Sequence, residues 1–352
     1  REGGDRPHRL VSPTVGLIVN PVAGRDIRRL TGGASVSSNY AKRRTAHCVL
    51  EGLRIADGSE VLVMPDNAGL AERIVTGAPD DLAIDMLDMA VTDSGRDTRN
   101  AAERFSTAAD AVVVLGGDGT NRDVAVGIGE VPMVSISTGT NNVVPTPVDG
   151  TIAGAAAGFV ASGAVPVSET TVRHGTVEAV VDDGTEERRL RGLATVGVLD
   201  QQFVGTRAIL DPEDIIGGVV SRASPAEIGL SAIAGGFETH RPDEPGGIGF
   251  RLEDRSEPPL ENESSLCPSQ EVRAVTVPGV VSDVSIAEFR RLDDGEAFAF
   301  DVSSGVVSAD GERELEVRDA SVRLRPVSDG PRLVRIDAAI ERAADAGYFR
   351  AE

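Results

Sequence analysis

The chain has 352 residues, which is long enough for two domains with sizeable cores. Its 56 acidic side chains outnumber its 35 lysines and arginines, and the net charge of -21 excludes nucleic acid and anionic membrane surfaces from the expected partners. The sequence contains no run of ~20 apolar residues and no apolar signal core, so we expect a cytoplasmic protein without stable membrane association.

The first predicted element is a buried strand from Val15 to Asn20, after a polar arm at residues 1–14 that we expect to be flexible. The strand runs into Asn20-Pro21-Val22-Ala23-Gly24 and then into a loop rich in glycine and serine. That loop carries Arg25, Arg28 and Arg29, whose guanidinium groups are suited to clamping phosphates. A flexible surface loop is an equally consistent interpretation.

A helix predicted from Tyr40 to Leu53 carries Lys42, the only lysine of the chain. An acidic protein with almost no lysine is typical of adaptation to molar salt, where a Debye length of about 3 Å screens self-repulsion. A GC-rich genome also favours arginine over lysine, but we interpret the protein as halophilic. The missing lysines exclude a P-loop or protein-kinase site. Backbone N–H groups, arginine and metal must therefore neutralise the charge of a bound phosphate.

Strands and helices alternate from residue 15 to residue 163, which predicts a domain built on a parallel α/β sheet. The remaining elements predicted for this domain are strand Ser59–Met64, helix Leu70–Val75, apolar segment Leu82–Met89, helix Gly95–Ala109 capped by Asp93 or Ser94, strand Ala111–Leu115, helix Asn121–Gly127, strand Val131–Ile136 and helix Thr151–Ser162.

Two small polar loops follow two of these strands directly. Gly116-Gly117-Asp118-Gly119-Thr120 follows Leu115, and Ser137-Thr138-Gly139-Thr140-Asn141-Asn142 follows Ile136. We expect Thr120 or Asn121 to cap the helix after the first loop, and glycines at a helix N-terminus favour phosphate binding. Both loops would lie at one edge of a parallel sheet, which predicts a nucleotide cleft.

Asp118 stands among glycines that would face phosphates, where a carboxylate would repel the ligand. The presence of Asp118 is explained if a divalent cation lies between the carboxylate and the phosphates, or if the carboxylate takes a proton from an attacking hydroxyl. Either role indicates phosphoryl transfer. Gly-Asp-Gly also occurs as a simple tight turn, and the second glycine loop is what favours a site.

After Val165 the helical pattern fades and strand-like segments separated by turns predict a second, all-β domain at residues 164–328. These segments are Thr171–Val181, Arg188–Val198, Glu271–Val277, Ala297–Val302 and Glu314–Arg323. Ser224–Gly236 is predicted to hold a short helix, Arg241–Gln270 a surface excursion, and Asp310-Gly311 a hairpin turn. An amphipathic helix from Leu333 to Tyr348, in residues 329–352, is expected to pack back onto the first domain.

Four motifs in this order resemble those of the NAD kinase and diacylglycerol kinase superfamily. Asn20-Pro21-x-Ala23-Gly24 resembles its first-strand loop, Gly116–Thr120 its G-G-D-G-T motif, Gly139–Asn142 its G-T-x-N-D motif and Asp310-Gly311-Glu312 its D-G-E motif. Within the superfamily the chain is most similar to the archaeal ATP-NAD kinase-like branch that includes the acetoin-catabolism protein X group.

The resemblance implies a parallel α/β domain followed by a β-sandwich domain, with ATP and an acceptor in the cleft between them. It also implies Mg²⁺ as a bridging cation at the cleft and assembly as a homo-oligomer. Asp118 would be the catalytic residue or would hold the metal, and Asp310 and Glu312 would be carboxylates of the second domain at the cleft. The residues implied to bind nucleotide or phosphate are Asn20, Gly116, Gly117, Gly119, Thr120, Gly139, Thr140, Asn141 and Asn142.

Ala223–Gly236 resembles at its two ends the T-P-T-G-S-T-A-Y-S-L-S-A-G-G stretch of NAD kinases, but the Thr-Ala-Tyr core is missing. Three functions therefore stay open: a kinase that phosphorylates the ribose 2′-hydroxyl of NAD, a kinase of a lipid or other small alcohol, and a nucleotide-binding protein without turnover. Asp118 and both glycine loops favour a kinase. ATP and inorganic polyphosphate would present similar charge to these loops, so the donor also stays open.

Overall fold

A computed structural model describes residues 12–23, 38–56, 59–138, 142–201, 212–253 and 270–350. The first half alternates strands and helices as its sequence predicts. Its elements are β1 (Thr14–Val19), α1 (Asn39–Leu53), β2 (Glu60–Val63), α2 (Leu70–Thr76), β3 (Ile84–Met86), α3 (Gly95–Ala108), β4 (Ala111–Gly116), α4 (Asp118–Gly127), β5 (Met133–Ser137), α5 (Gly150–Ala161) and α6 (Val167–Thr170).

The second half is dominated by strands. Its elements are β6 (Thr171–Arg173), β7 (Thr176–Asp182), β8 (Glu187–Gly192), β9 (Thr195–Leu199), β10 (Ile215–Val220), α7 (Leu230–Gly235), β11 (Gly247–Leu252), β12 (Gln270–Val277), β13 (Val280–Leu292), β14 (Phe298–Ala309), β15 (Glu312–Val327), β16 (Arg332–Val334) and α8 (Ile336–Asp345).

The first sheet has the strand order β3-β2-β1-β4-β5-β16-β6 and is parallel except at β6, which runs antiparallel to β16. Apolar residues fill its central strand β4, where every residue is buried. Val19 of β1 pairs with Leu115 of β4, which pairs with Ile136 of β5. The chain segments that follow these three strands therefore leave the sheet at one edge, as the sequence predicts.

Helices α1 and α5 pack unusually closely on one face of this sheet because glycines line their contact. A Cβ atom on Gly154 would lie 2.1 Å from the carbonyl oxygen of Val49, and one on Gly52 would lie 2.0 Å from that of Thr151. Ala339 and Ala343 of α8 share a core with Phe159 of α5. The expectation that the last helix returns to the first domain is confirmed.

The second sheet has nine strands in the order β12-β13-β11-β10-β9-β14-β15-β7-β8, with antiparallel pairing throughout. It curls over itself, so that Val219 of β10 packs with Val177 of β7 and Leu324 of β15 in one core. A parallel α/β domain followed by an all-β domain is thus confirmed, and the two layers of the β domain come from one continuous sheet.

Three assignments made from the sequence, two strands and one surface excursion, are corrected. Thr171–Val181 is two strands, since β6 joins the first sheet and β7 the second, with His174 buried between them. Arg188–Val198 is also two strands, β8 and β9, separated by Leu193 and Ala194. Arg241–Gln270 contains the buried strand β11, while residues 254–269 lie outside the described part. A strand-like pattern does not reveal where a chain passes from one sheet to the next.

Candidate functional site

The G-G-D-G-T loop is the junction between β4 and α4. Helix α4 begins at Asp118 after an extended Gly117, and no side chain caps it. The predicted start at Asn121 with a Thr120 or Asn121 cap is therefore wrong. Asn121 lies inside the first turn, and its side-chain Nδ2 donates to the Gly117 carbonyl at 2.8 Å. A Cβ atom on Gly116 would lie 2.5 Å from the Thr120 Cβ, so only glycine fits there. The first N–H groups of α4 are left without partners inside the helix, as an anion site requires.

The loop after β1 is fixed against the G-G-D-G-T loop. Asn20 Oδ1 accepts hydrogen bonds from the N–H groups of Val22 at 2.9 Å and Ala23 at 3.3 Å, while its Nδ2 donates to Thr120 Oγ1 at 3.0 Å. Lys42, only 1% exposed, donates from Nζ to the carbonyl oxygens of Asn20 at 2.9 Å and Pro21 at 3.0 Å. Asn20 therefore joins the two loops.

Asp118 is buried at the start of α4. Its Oδ1 accepts from the N–H groups of Val143 at 3.1 Å and Val144 at 2.9 Å, and its Oδ2 accepts from Val143 at 2.9 Å. Burial raises the pKa of Asp118 to about 7, against the effect of these N–H donors; the charges of Asp310 and Glu227 also raise it. The carboxyl thus titrates near neutral pH.

Asp310 and Gly311 form the predicted two-residue hairpin turn, with Ala309 opposite Glu312 and positive φ angles of 48° and 79° at the two turn residues. The Asp310 carboxylate is also part of the candidate site. It accepts from the N–H groups of Leu193 at 2.7 Å, Ala194 at 2.8 Å and Thr195 at 3.0 Å. Burial raises its pKa, and the charge of Arg122 acts in the opposite direction. The turn and cleft interpretations of Asp310 are therefore compatible.

Glu312, the next residue of the D-G-E motif, lies over the G-G-D-G-T loop. A Cβ atom on Gly119 would be 3.8 Å from Glu312 Cγ and 3.9 Å from its Oε1. The apolar residues beneath also meet, because Val144 of the first domain packs with Leu193 and Ala194 of the second. The structure thus brings the G-G-D-G-T and D-G-E motifs together across the domain boundary.

Two charged residues at this boundary, Arg122 and Glu227, were not predicted from the sequence. Arg122 of α4 donates to the Ala309 carbonyl at 2.9 Å and to Glu314 Oε1 at 2.6 Å. Its position one helical turn after Asp118 was the available signal. Glu227 is paired with Arg222, and burial raises the pKa of Glu227. Glu227 lies in the irregular start of Ala223–Gly236, the segment that resembles an NAD kinase stretch, but no pattern there distinguished Glu227 itself.

Part of the predicted site lies outside the described residues: Gly139, Thr140, Asn141, Arg25, Arg28 and Arg29. Asn142 is described, and its Nδ2 donates to Ser137 Oγ at 2.7 Å. Within the described ranges, no group of three or more His, Cys, Asp or Glu side chains is arranged to hold a metal ion. In the same ranges, no helix is long and apolar enough to cross a membrane.

Comparison with known proteins agrees with this geometry. Residues 15–164 match the ATP-NAD kinase N-terminal domain, and residues 176–329 match the acetoin catabolism protein X C-terminal domain. Acetoin catabolism protein X of Cupriavidus necator is 35% identical over 317 residues, which cover 87% of this chain and 85% of that protein. The chain belongs to the acetoin catabolism protein X family. The resemblance predicted from the four motifs is confirmed.

This member of the acetoin catabolism protein X family also shares the NAD kinase fold. Yeast NADH kinase, solved in complex with NADH, superposes with a TM-score of 0.53 at 14% identity, over 99% of this chain and 93% of that one. A putative diacylglycerol kinase from Bacillus anthracis str. Sterne covers 92% of this chain and 97% of its own, at 15% identity and a TM-score of 0.42. The first domain thus matches an ATP-NAD kinase domain, and the whole chain shares the fold of NADH kinase.

Proposed function

We propose that the chain is an ATP-dependent kinase that transfers a phosphoryl group to an alcohol, with the ribose 2′-hydroxyl of NAD as the acceptor. The observation that carries the proposal is the meeting of Asp118 and Glu312 at one glycine loop, from different domains. The fold supplies a parallel sheet whose edge suits a nucleotide, and the cleft between domains suits the acceptor. Following the family resemblance, we also propose a cytoplasmic homo-oligomer.

The nucleotide phosphates would bind at the start of α4. Gly117 and Gly119 would admit phosphate oxygens close to the backbone, while Gly116 leaves room for the Thr120 side chain. The helix dipole favours the phosphate charge. Thr120 and Asn20, already hydrogen-bonded to each other, would hold the two loops in the spacing that the phosphates need. We propose the same binding role for the second glycine loop, Gly139, Thr140, Asn141 and Asn142.

Asp118 would be the catalytic base. The acceptor oxygen forms a bond to the γ-phosphorus as the bond to the ADP oxygen breaks, and the hydroxyl proton moves to the Asp118 carboxylate. Oδ2 is the suitable acceptor atom because, among the contacts described, it accepts one hydrogen bond while Oδ1 accepts two. A pKa of about 7 is close to the value at which a general base works best at neutral pH.

Transfer from ATP implies Mg²⁺, which neutralises charge that develops on the phosphates. Mg²⁺ is usually held by one or two carboxylates together with substrate phosphates, so the lack of a three-ligand cluster among the described residues is compatible with it. Glu312 is the carboxylate that fits, since it is half-buried and lies over Gly119.

One observation favours a different alcohol as the acceptor. The segment that resembles the T-P-T-G-S-T-A-Y stretch of NAD kinases lacks Thr-Ala-Tyr, and Glu227 of that segment is paired with Arg222 beside the site. The Cupriavidus relative takes its name from acetoin catabolism. The second candidate function is therefore a kinase of another small alcohol or of a lipid.

The test is ADP release from ATP and Mg²⁺ in molar KCl, with and without NAD, with Asp118→Asn as the matched inactive control. NADP formation that disappears in the variant supports the first function. Release that needs a different alcohol or a lipid supports the second, and a parallel series with inorganic polyphosphate, measured by the phosphorylated acceptor, identifies the donor. No ADP release and no phosphorylated acceptor under any of these conditions would contradict both and leave a nucleotide-binding protein.

A further inference from the structure

Arg122 joins the two domains beside the candidate site. It lies on α4, one helical turn after Asp118, and its guanidinium reaches the β14–β15 hairpin of the second domain. We propose that Arg122 is a positioning residue for phosphoryl transfer, which holds the Asp310-Gly311 turn against the helix that begins at Asp118. The role in transfer rests on the proposed function. The contact of Arg122 with the β14–β15 hairpin, here called the clamp, does not.

The hydrogen bonds of Arg122 are placed to fix the turn from both sides. Nη1 donates to the carbonyl oxygen of Ala309, the last residue of β14, and Nη2 donates to Glu314, near the start of β15. Asp310 and Glu312 lie between these two anchors. A planar guanidinium with donors in a fixed fork therefore sets the position and the orientation of the turn.

Burial makes this contact more than a surface ion pair. The Arg122 side chain is 11% exposed and that of Glu314 is 31% exposed. A guanidinium in such a place needs its partners, because an unpaired buried charge is strongly unfavourable. Arg122 also lies close enough to Asp310 for its charge to act on that carboxylate. Separating the turn from α4 would leave these groups without compensation.

The position of the turn relative to α4 decides one contact of the site. Asp310 is held by Leu193, Ala194 and Thr195 within the second domain, where β14 pairs with β9, but Glu312 lies over Gly119 only while the turn stays against α4. Loss of Arg122 should therefore displace Glu312 while the G-G-D-G-T loop keeps its own hydrogen bonds. Nucleotide binding would survive, but the reacting groups would be misplaced.

The experiment compares Arg122→Met and Arg122→Lys with Arg99→Met. The control removes Arg99 of α3, which pairs at 2.7 Å with Asp123 of α4, the helix that also carries Arg122. This ion pair lies within the α/β domain and does not reach the second domain. The first measurement is amide hydrogen exchange, which needs no activity. We expect the amides of Ala309 and Glu312, the last pair of the β14–β15 hairpin, to exchange about tenfold faster or more in Arg122→Met, and those of Val143 and Val144 to stay protected, as in the control.

The second measurement separates binding from chemistry. We expect Arg122→Met to lower kcat by roughly 100-fold with little change in the KM for ATP, because a displacement of about 1 Å costs that much. Arg122→Lys, which can still donate to one of the two acceptors, should recover part of both effects. Unchanged exchange at Ala309 and Glu312 in both variants would overturn the clamp. Faster exchange with an unchanged kcat would overturn its role in transfer, and an inactive wild type with the expected exchange pattern would count against the proposed function only.

Discussion

Asn20 and Thr120 are 100 residues apart in sequence, yet the Asn20 amide donates to the Thr120 hydroxyl at 3.0 Å. This bond ties the loop after β1 to the G-G-D-G-T loop. In the proposed phosphate site, each of these two side chains is therefore held in place by the other. The nucleotide affinity should therefore depend on the pair as a unit.

We expect Thr120→Val to weaken ATP binding by roughly fivefold, the equivalent of about 1 kcal/mol for one hydrogen bond. Asn20→Ala should weaken it more, because Asn20 also accepts from the N–H groups of Val22 and Ala23. Calorimetric titration of the two single variants and the double variant measures the coupling. Strictly additive losses would show that the bond does not link the two loops.

Asp118→Asn should abolish phosphoryl transfer and retain most of the nucleotide affinity. Asp118 is protonated below its pKa of about 7 and ionised above it, so the wild-type kcat/KM should rise as pH increases through 7. Rates measured from pH 5.5 to 8.5 check the direction. A flat profile, or turnover in the variant, would contradict the base role of Asp118.

His174 should make the fold sensitive to acid. It is fully buried between the two sheets, Nδ1 contacts the Gly175 carbonyl at 2.5 Å, and burial lowers its pKa to about 4, with the charge of Arg222 acting the same way. The unfolded chain binds this proton below about 6.5 and the native chain only near 4, so stability is lost as pH falls between those values. The loss attributable to His174 is about 3 kcal/mol, at 1.36 kcal/mol per pKa unit.

His174→Gln cannot take up this proton. We expect denaturant unfolding of the variant to show a shallower loss of stability than the wild type from pH 6.5 to pH 4. At pH 7.5, where His174 is neutral in both states, the two proteins should differ only by the change in packing. Parallel curves over the acid range would refute the assignment to His174.

Gly154→Ala should destabilise the first domain because the new methyl group would meet the Val49 carbonyl at 2.1 Å. Helices α1 and α5 would have to separate, at a cost of roughly 1–3 kcal/mol or more. Ile152→Ala is the matched control, because Ile152 lies on the same helix and is 44% exposed. It should change the unfolding free energy much less. Equal effects of the two variants would show that the close contact carries no constraint.

The net charge of -21 should make the fold dependent on salt. Self-repulsion of the native state is screened in molar KCl and is strong in dilute buffer, so we expect Tm to rise by roughly 10 °C or more between 0.1 M and 2 M KCl. Sucrose at matched osmolality is the control, because it does not screen charge. A Tm that is independent of KCl would refute the halophilic interpretation.

The features predictable from the sequence were local ones. A buried apolar run that ends in glycines identified β4 and its loop, and Asp310-Gly311 identified the hairpin turn by its own conformational preference. The start of α4 was misplaced because the sequence offered nearby side-chain caps, while the Asp118 carboxylate binds the backbone of Val143 and Val144 instead.

The missed features depend on contacts between distant parts of the chain. Arg122 finds the Ala309 carbonyl 187 residues later, and no pattern around Arg122 names that partner. The same holds for the N–H groups of Leu193, Ala194 and Thr195 that surround Asp310. Motif order predicted that two loops would meet, but which backbone groups stabilise the carboxylates is decided by how the two sheets pack.

The burial of Lys42 has a chemical consequence. It is the only side chain of the protein that carries a primary amine, and the folded chain keeps it 1% exposed under the loop after β1. Reagents that acylate amines should therefore leave the side chains of the native protein unmodified and label Lys42 when that loop opens. The rate of acylation at this single position would report how often the loop detaches from α1, without any engineered probe.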